Sequence, residues 1–113
     1  MAAVTITPSP GFSSLAVWAL TTADPTGDSI SIPGARDRSI QVFGTFGGAT
    51  LTVQGSNDGT NWNTLHDESG VTLTFTATGA HAIVENFLFI RCALTTVGAG
   101  AAITASILSG RTI

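Results

Sequence analysis

Apolar and polar residues alternate with a period of two through most of this 113-residue chain, and that period belongs to β-strands. The alternation is cleanest over residues 71–78, where four threonines occupy one side of an extended chain. No segment shows a convincing helical period, so the sequence predicts strands. Further strands are predicted at residues 3–7, 14–22, 29–32, 39–46, 51–54, 81–85, 87–96 and 103–108.

These eight or nine short strands, separated by turns rich in Gly, Ser, Asn and Asp, predict an all-β fold. A spacing of about 8–12 residues is typical of an antiparallel β-sandwich, and a jelly-roll is favoured over an immunoglobulin-like topology. The length fits one domain over residues 12–113. Residues 1–11 are predicted to be an N-terminal arm or edge strand, because Pro8 and Pro10 would interrupt a central strand.

Charge is scarce: four Arg, no Lys and seven acidic residues give a net charge of −3. That balance argues against a nucleic-acid binder or a polybasic membrane-surface binder. The longest apolar run, residues 15–20, is too short to span a bilayer, and the start lacks the pattern of a signal peptide. With eighteen Thr and so few charges, the exterior is better suited to being covered by a partner than to standing free.

The residues that usually perform chemistry do not form a recognisable constellation, so we expect no catalytic residue, no cofactor and no metal. His66 and His81 lack the neighbours at metal-ligand spacing that zinc requires. Asp58 lies in Ser-Asn-Asp-Gly, where a hairpin turn is favoured over a calcium loop. Cys92 lies in an apolar series, which predicts an inert, buried thiol.

The two tryptophans have different surroundings. Trp18 lies in a strand that is apolar on both faces, which predicts a core position. Trp62 follows the hairpin tip, where its ring either covers the end of the sandwich or serves as a binding platform.

Residues 51–65, which read V-x-G-S-N-D-G-x-N-W-x-x-L from Val53, resemble a strand–turn–strand element of small all-β structural proteins in tailed bacteriophages. Residues 87–94 and 102–111 resemble the closing strands of those proteins. Within that group, the chain is similar to the jelly-roll cement or decoration proteins of phage heads. The hairpin also resembles one in discoidin-type lectin domains, and the sialidase Asp-box is a near miss, one residue longer.

The resemblance implies a non-enzymatic virion protein that binds the outer surface of the head and stabilises contacts between coat subunits. It implies partners in the major capsid protein and in further copies of the chain, and synthesis in the host cytoplasm. The alternatives are a tail or baseplate accessory protein, or a carbohydrate-binding module that uses Trp62 with Asp58, Asn61 and Asn63. The candidate interface residues are Val4, Ile6, Phe12, Trp62 and Phe89.

Overall fold

The structure is a computed structural model that describes residues 2–9, 13–31 and 36–110. Over these residues the chain forms strands and no helix, in two antiparallel sheets packed together. The predicted antiparallel β-sandwich is confirmed, and the preference for a jelly-roll stays a prediction. The strands are β1 (Val4–Ser9), β2 (Ser13–Thr21), β3 (Arg36–Thr45), β4 (Thr50–Ser56), β5 (Asn63–Thr64), β6 (Thr74–Phe75), β7 (Gly79–Ile83), β8 (Phe89–Thr96) and β9 (Ala102–Gly110).

The larger sheet has five strands in the order β1-β2-β9-β3-β7. Its long central strands alternate buried and more exposed residues, because successive side chains of a strand point to opposite faces. On the inner face, Ala105 lies in register between Trp18 of β2 and Val42 of β3. The small Ala105 side chain leaves room for the large indole, so the inner layer packs closely.

The smaller sheet is built around β4. Strand β8 pairs along one edge of β4, and the two-residue strands β5 and β6 share the other edge. Outside β8, the chain at residues 25–30 adds backbone hydrogen bonds, from Gly27 N to Cys92 O at 2.9 Å and from Ile30 N to Ile90 O at 2.8 Å. Strand β8 therefore has neighbours on both sides.

Trp18 belongs to the core between the sheets, as predicted. The indole is fully buried, and its Nε1 donates a hydrogen bond to the Asp28 carbonyl at 2.8 Å. Burial therefore leaves the ring's one donor satisfied. The other large, fully buried side chains are Leu20, Ile40, Val42, Leu51, Val53, Leu65, Leu73, Ile90, Cys92, Ile103 and Ile107.

The strand predicted at residues 71–78 is wrong over most of its length, since only Thr74–Phe75 is a strand. The backbone turns back at residues 67–70, with Asp67 N donating to Val71 O at 2.9 Å, and it bends again at residues 76–78. Val71, expected on the apolar face with Leu73 and Phe75, is 58% exposed. An alternating pattern becomes a strand only where a neighbouring edge is free to pair with it.

Two other predicted segments also differ. The strand expected at 29–32 is reduced to an isolated bridge between Ile30 and Ile90, and Ile32 lies outside the described residues. The strand expected at 81–85 runs from Gly79 to Ile83. Of the segment 1–11, residues 4–9 form β1 at the edge of the larger sheet, and Ala2 bridges to Gly27.

Candidate functional site

The candidate interface residues are distributed over two parts of the sandwich. Val4 and Ile6 lie on β1, on the inner side of the larger sheet, in register with Trp18 and Ala16. Val4 packs against the core, whereas Ile6 is 50% exposed at the open edge. Trp62 and Phe89 belong to the smaller sheet and its hairpin, and Phe12 lies outside the described residues.

The hairpin between β4 and β5 is held by the Asp58 carboxylate. Its oxygens accept hydrogen bonds from the backbone N–H groups of Thr60 and Asn61, both at 2.8 Å, from Asn61 Nδ2 at 2.7 Å and from Ser56 Oγ at 2.8 Å. The Asn61 and Thr60 amides contribute most to holding the pKa of Asp58 far below its usual range. The predicted turn role of Asp58 is confirmed, because its carboxylate closes the loop.

Trp62 forms a stacked cluster with two residues of the smaller sheet. The Arg91 guanidinium carbon lies 4.1 Å from the centre of the indole, and Arg91 Nε donates to Gln54 Oε1 at 2.8 Å. Gln54 and Arg91 are in register on β4 and β8, and all three side chains are partly buried. We call this group the Arg91–Trp62 cluster. Partial burial lowers the pKa of Arg91, although the group stays charged at neutral pH.

Trp62 is absent from the core and from the partly buried apolar residues packed against it, so it does not cover the core, and its role as a binding platform stays a prediction. The ring lies outside the core, and the guanidinium occupies one of its faces. A sugar that stacks on that face would have to displace Arg91, and the carbohydrate-binding alternative stays a prediction. In the sequence, Arg91 alternates with apolar residues, which indicates that it faces outward from its strand. Its contact with Trp62 could not be predicted, because that depends on how β4 and β8 are aligned.

A second polar cluster lies between the turn at residues 66–72 and the segment after β7. Glu85 accepts one hydrogen bond from the His66 backbone N–H at 2.7 Å and pairs with the His66 ring Nδ1. His81 Nδ1 lies 3.7 Å from Asp67 Oδ2, and Asp67 Oδ1 accepts from Ser69 N and Val71 N at 2.8 and 3.0 Å.

These contacts hold residues 66–71 against His81 and Glu85. Burial would raise the pKa of Glu85, but the hydrogen bonds from His66 outweigh it and the net pKa is lowered. The sequence did not reveal Glu85 as the partner of His66, because nineteen residues separate them. Over the described part of the chain, no three His, Cys, Asp or Glu side chains are grouped to hold a metal ion.

Cys92 is fully buried on β8, and burial strongly raises the pKa of its thiol. A neutral thiol in the core is a poor nucleophile, as the sequence predicted for this residue.

The outward face of the larger sheet is free of charge over the side chains that the structure describes. These residues are in register with one another across neighbouring strands and alternate with the inward-facing residues, so they share the outer surface. Phe43 and Leu108 are 47% and 46% exposed within it. We call it the uncharged face; its residues are Thr5, Leu15, Val17, Ala19, Ser39, Gln41, Phe43, Ala80, Ala82, Thr104, Ser106 and Leu108.

No protein-family model, curated protein or solved structure matches the chain. The described residues include no helix that is long and apolar enough to cross a bilayer. Function is therefore inferred from the chain's own surfaces.

Proposed function

We propose that the chain is a non-enzymatic structural protein of a tailed-phage virion, a decoration or cement protein that binds the outer surface of the head. The single observation that supports this best is the uncharged face on the larger sheet. In a protein with a net charge of −3, this neutral surface with exposed Phe43 and Leu108 can be buried without the cost of desolvating charges.

The size of this face fits one protein partner. The five strands contain 39 residues in all, and each residue occupies about 16 Å² of a sheet whose strands are about 4.8 Å apart and rise about 3.4 Å per residue. The resulting area of about 640 Å² is somewhat below the roughly 800 Å² that each partner contributes to an interface of standard size. The partners proposed for it are major capsid protein subunits and, next to them, further copies of the chain.

Stabilisation of the head follows from binding to the assembled state. A protein that contacts two neighbouring coat subunits binds the shell and not the separated subunits, so it shifts the equilibrium towards the shell. Repetition over a symmetric lattice allows each contact to be modest. An acidic, Lys-free chain also has little tendency to adsorb to DNA, which suits the capsid surface as its location.

Co-sedimentation with purified heads stripped of this protein tests the proposal. The wild type should pellet with heads and raise the temperature at which they disrupt. Gln41→Glu and Leu108→Glu place a carboxylate on the uncharged face and should weaken binding about tenfold or more.

The matched control is Thr76→Glu, which adds the same charge at an exposed bend away from that face and should bind like the wild type. A wild type that stays in the supernatant contradicts the proposal. Sedimentation with isolated tails and not with heads would favour the tail or baseplate alternative.

A further inference from the structure

The Arg91–Trp62 cluster lies on the outward face of the smaller sheet, on the opposite side of the sandwich from the uncharged face. Its charge is unbalanced: Arg91 has no carboxylate partner among the described residues, and its one hydrogen bond goes to the neutral Gln54. An unpaired guanidinium is common on a flexible surface arm. Here it is partly buried and held against a ring, so it has less freedom to lose when it binds another group.

The geometry holds the guanidinium in one orientation. Contact with the Trp62 ring restrains the guanidinium on one side, and the hydrogen bond from Nε to Gln54 restrains its rotation. The two terminal nitrogens, Nη1 and Nη2, therefore keep their donors for another group. A planar pair of N–H donors matches the two oxygens of a carboxylate, and prior ordering reduces the entropy lost on binding.

The surroundings favour a protein partner. Phe89 lies on the same outward face, in register with Ser56, and its ring lies beside the hairpin at Gly59. Trp, Arg and Phe in one rigid group are typical of the few residues that dominate a protein interface. A phosphate backbone usually meets several cations, whereas the chain has no Lys and its other described basic side chain, Arg38, is buried.

We propose that Arg91, oriented by Trp62 and Gln54, binds an Asp or Glu carboxylate of a second protein subunit. This inference rests on the proposed function and deepens it. The uncharged face binds one coat subunit, and the cluster on the opposite side binds an acidic group of its neighbour. The sandwich then bridges two subunits, as a cement protein must.

Head binding by Arg91 variants tests the inference. Arg91→Gln should weaken binding about tenfold or more at 50 mM salt, because it removes the charge and the paired donors. Arg91→Lys keeps the charge without the fork and should recover only part of the loss. Gln54→Ala, which frees the guanidinium to rotate, should have a smaller effect in the same direction. Raising the salt to 300 mM should weaken the wild type more than Arg91→Gln.

Thermal unfolding of each variant separates lost binding from lost folding, and affinities are compared only at temperatures where the variant is folded. Wild-type binding to heads together with equal binding by Arg91→Gln overturns the inference and leaves the proposed function standing. Absence of wild-type binding overturns the proposed function itself. Arg91-dependent binding to a DNA duplex would overturn the assignment of a carboxylate as the ligand.

Discussion

The Asp58 carboxylate accepts four hydrogen bonds in the hairpin between β4 and β5, and its negative charge strengthens them. Because its pKa is lower in the folded state than in the unfolded state, the stabilisation is present above the unfolded value, near 4, and is lost as the pH falls through the folded value. We predict that Asp58→Asn lowers the melting temperature by a few degrees at pH 7. The difference from the wild type should shrink steadily below about pH 4.

The control for this prediction is Glu68→Gln, which removes a carboxylate from an exposed position in a neighbouring turn. Melting curves from pH 7 to pH 2 should show little difference between this variant and the wild type at any pH. A constant Asp58→Asn penalty across that range would show that the carboxylate's charge does not matter to the loop.

Cys92 gives a second residue-scale prediction. Since the thiol is fully buried and its pKa is raised, an aromatic disulfide reagent should not modify the folded protein over an hour, and should modify one thiol per chain in denaturant. Thr95→Cys is the matched comparison, because Thr95 is exposed three residues further along the same strand. That variant should react at once at one site. Rapid modification of the folded wild type would mean that β8 opens readily.

The sequence predicted residue roles where the cause is local. The turn at Asp58 and the buried thiol follow from neighbours a few positions away. The Arg91–Trp62 contact and the His66–Glu85 pair join residues 29 and 19 positions apart, so they depend on the sheet register and loop path. No periodicity in one chain contains that information.

At the scale of the elements, the pairing of β3 with β9 depends on a glycine. Gly44 has φ of 129°, and a Cβ there would collide with the Ala102 carbonyl oxygen and lie 3.1 Å from Ile103 Cα. We predict that Gly44→Ala lowers the free energy of unfolding by about 2 kcal/mol or more, because strain and overlap with backbone add together. Urea denaturation measures this change.

Gly48 is the matched control, because a substitution there adds backbone strain without steric overlap. It also has a positive φ, of 84°, but a Cβ there meets nothing within 4 Å. Gly48→Ala should therefore cost only about 1 kcal/mol. Equal losses in the two variants would show that close approach of β9 to Gly44 does not contribute.

The long strands β3 and β9 were predictable because they alternate over many residues, and β2 and β8 because they are mostly apolar on both faces and are bounded by turns. Residues 71–78 alternate equally well but form little strand, since the free edge of β4 is shared between β5 and β6. Residues 26–30 illustrate the converse: they bond to β8 without forming a regular strand. In both segments the outcome depended on which parts of the chain pair along the edges of β4 and β8. A single sequence does not reveal that pairing.

At the scale of the whole molecule, what matters is where the few charges lie. Composition predicted an uncharged exterior, and the described outward side chains of the larger sheet have no charge, whereas those of the smaller sheet include Arg91. Composition could not supply this asymmetry, because it depends on which residue of each alternating pair faces outward. Two unlike, opposed faces are suited to a protein that joins two neighbours.

The same asymmetry predicts how the isolated protein behaves in solution. With its uncharged face exposed to solvent, the isolated chain should associate with itself. Association should be weak at pH 7.5, because copies with a net charge of −3 repel one another. It should be stronger near the pI of about 4.9, where that repulsion vanishes. Sedimentation velocity from 10 to 500 μM measures this, with Gln41→Glu expected to reduce association at both pH values and Thr76→Glu expected to act only through net charge. A protein that stays monomeric at every concentration and both pH values would mean that the uncharged face needs no cover, and the physical reason for placing it against another subunit would be lost.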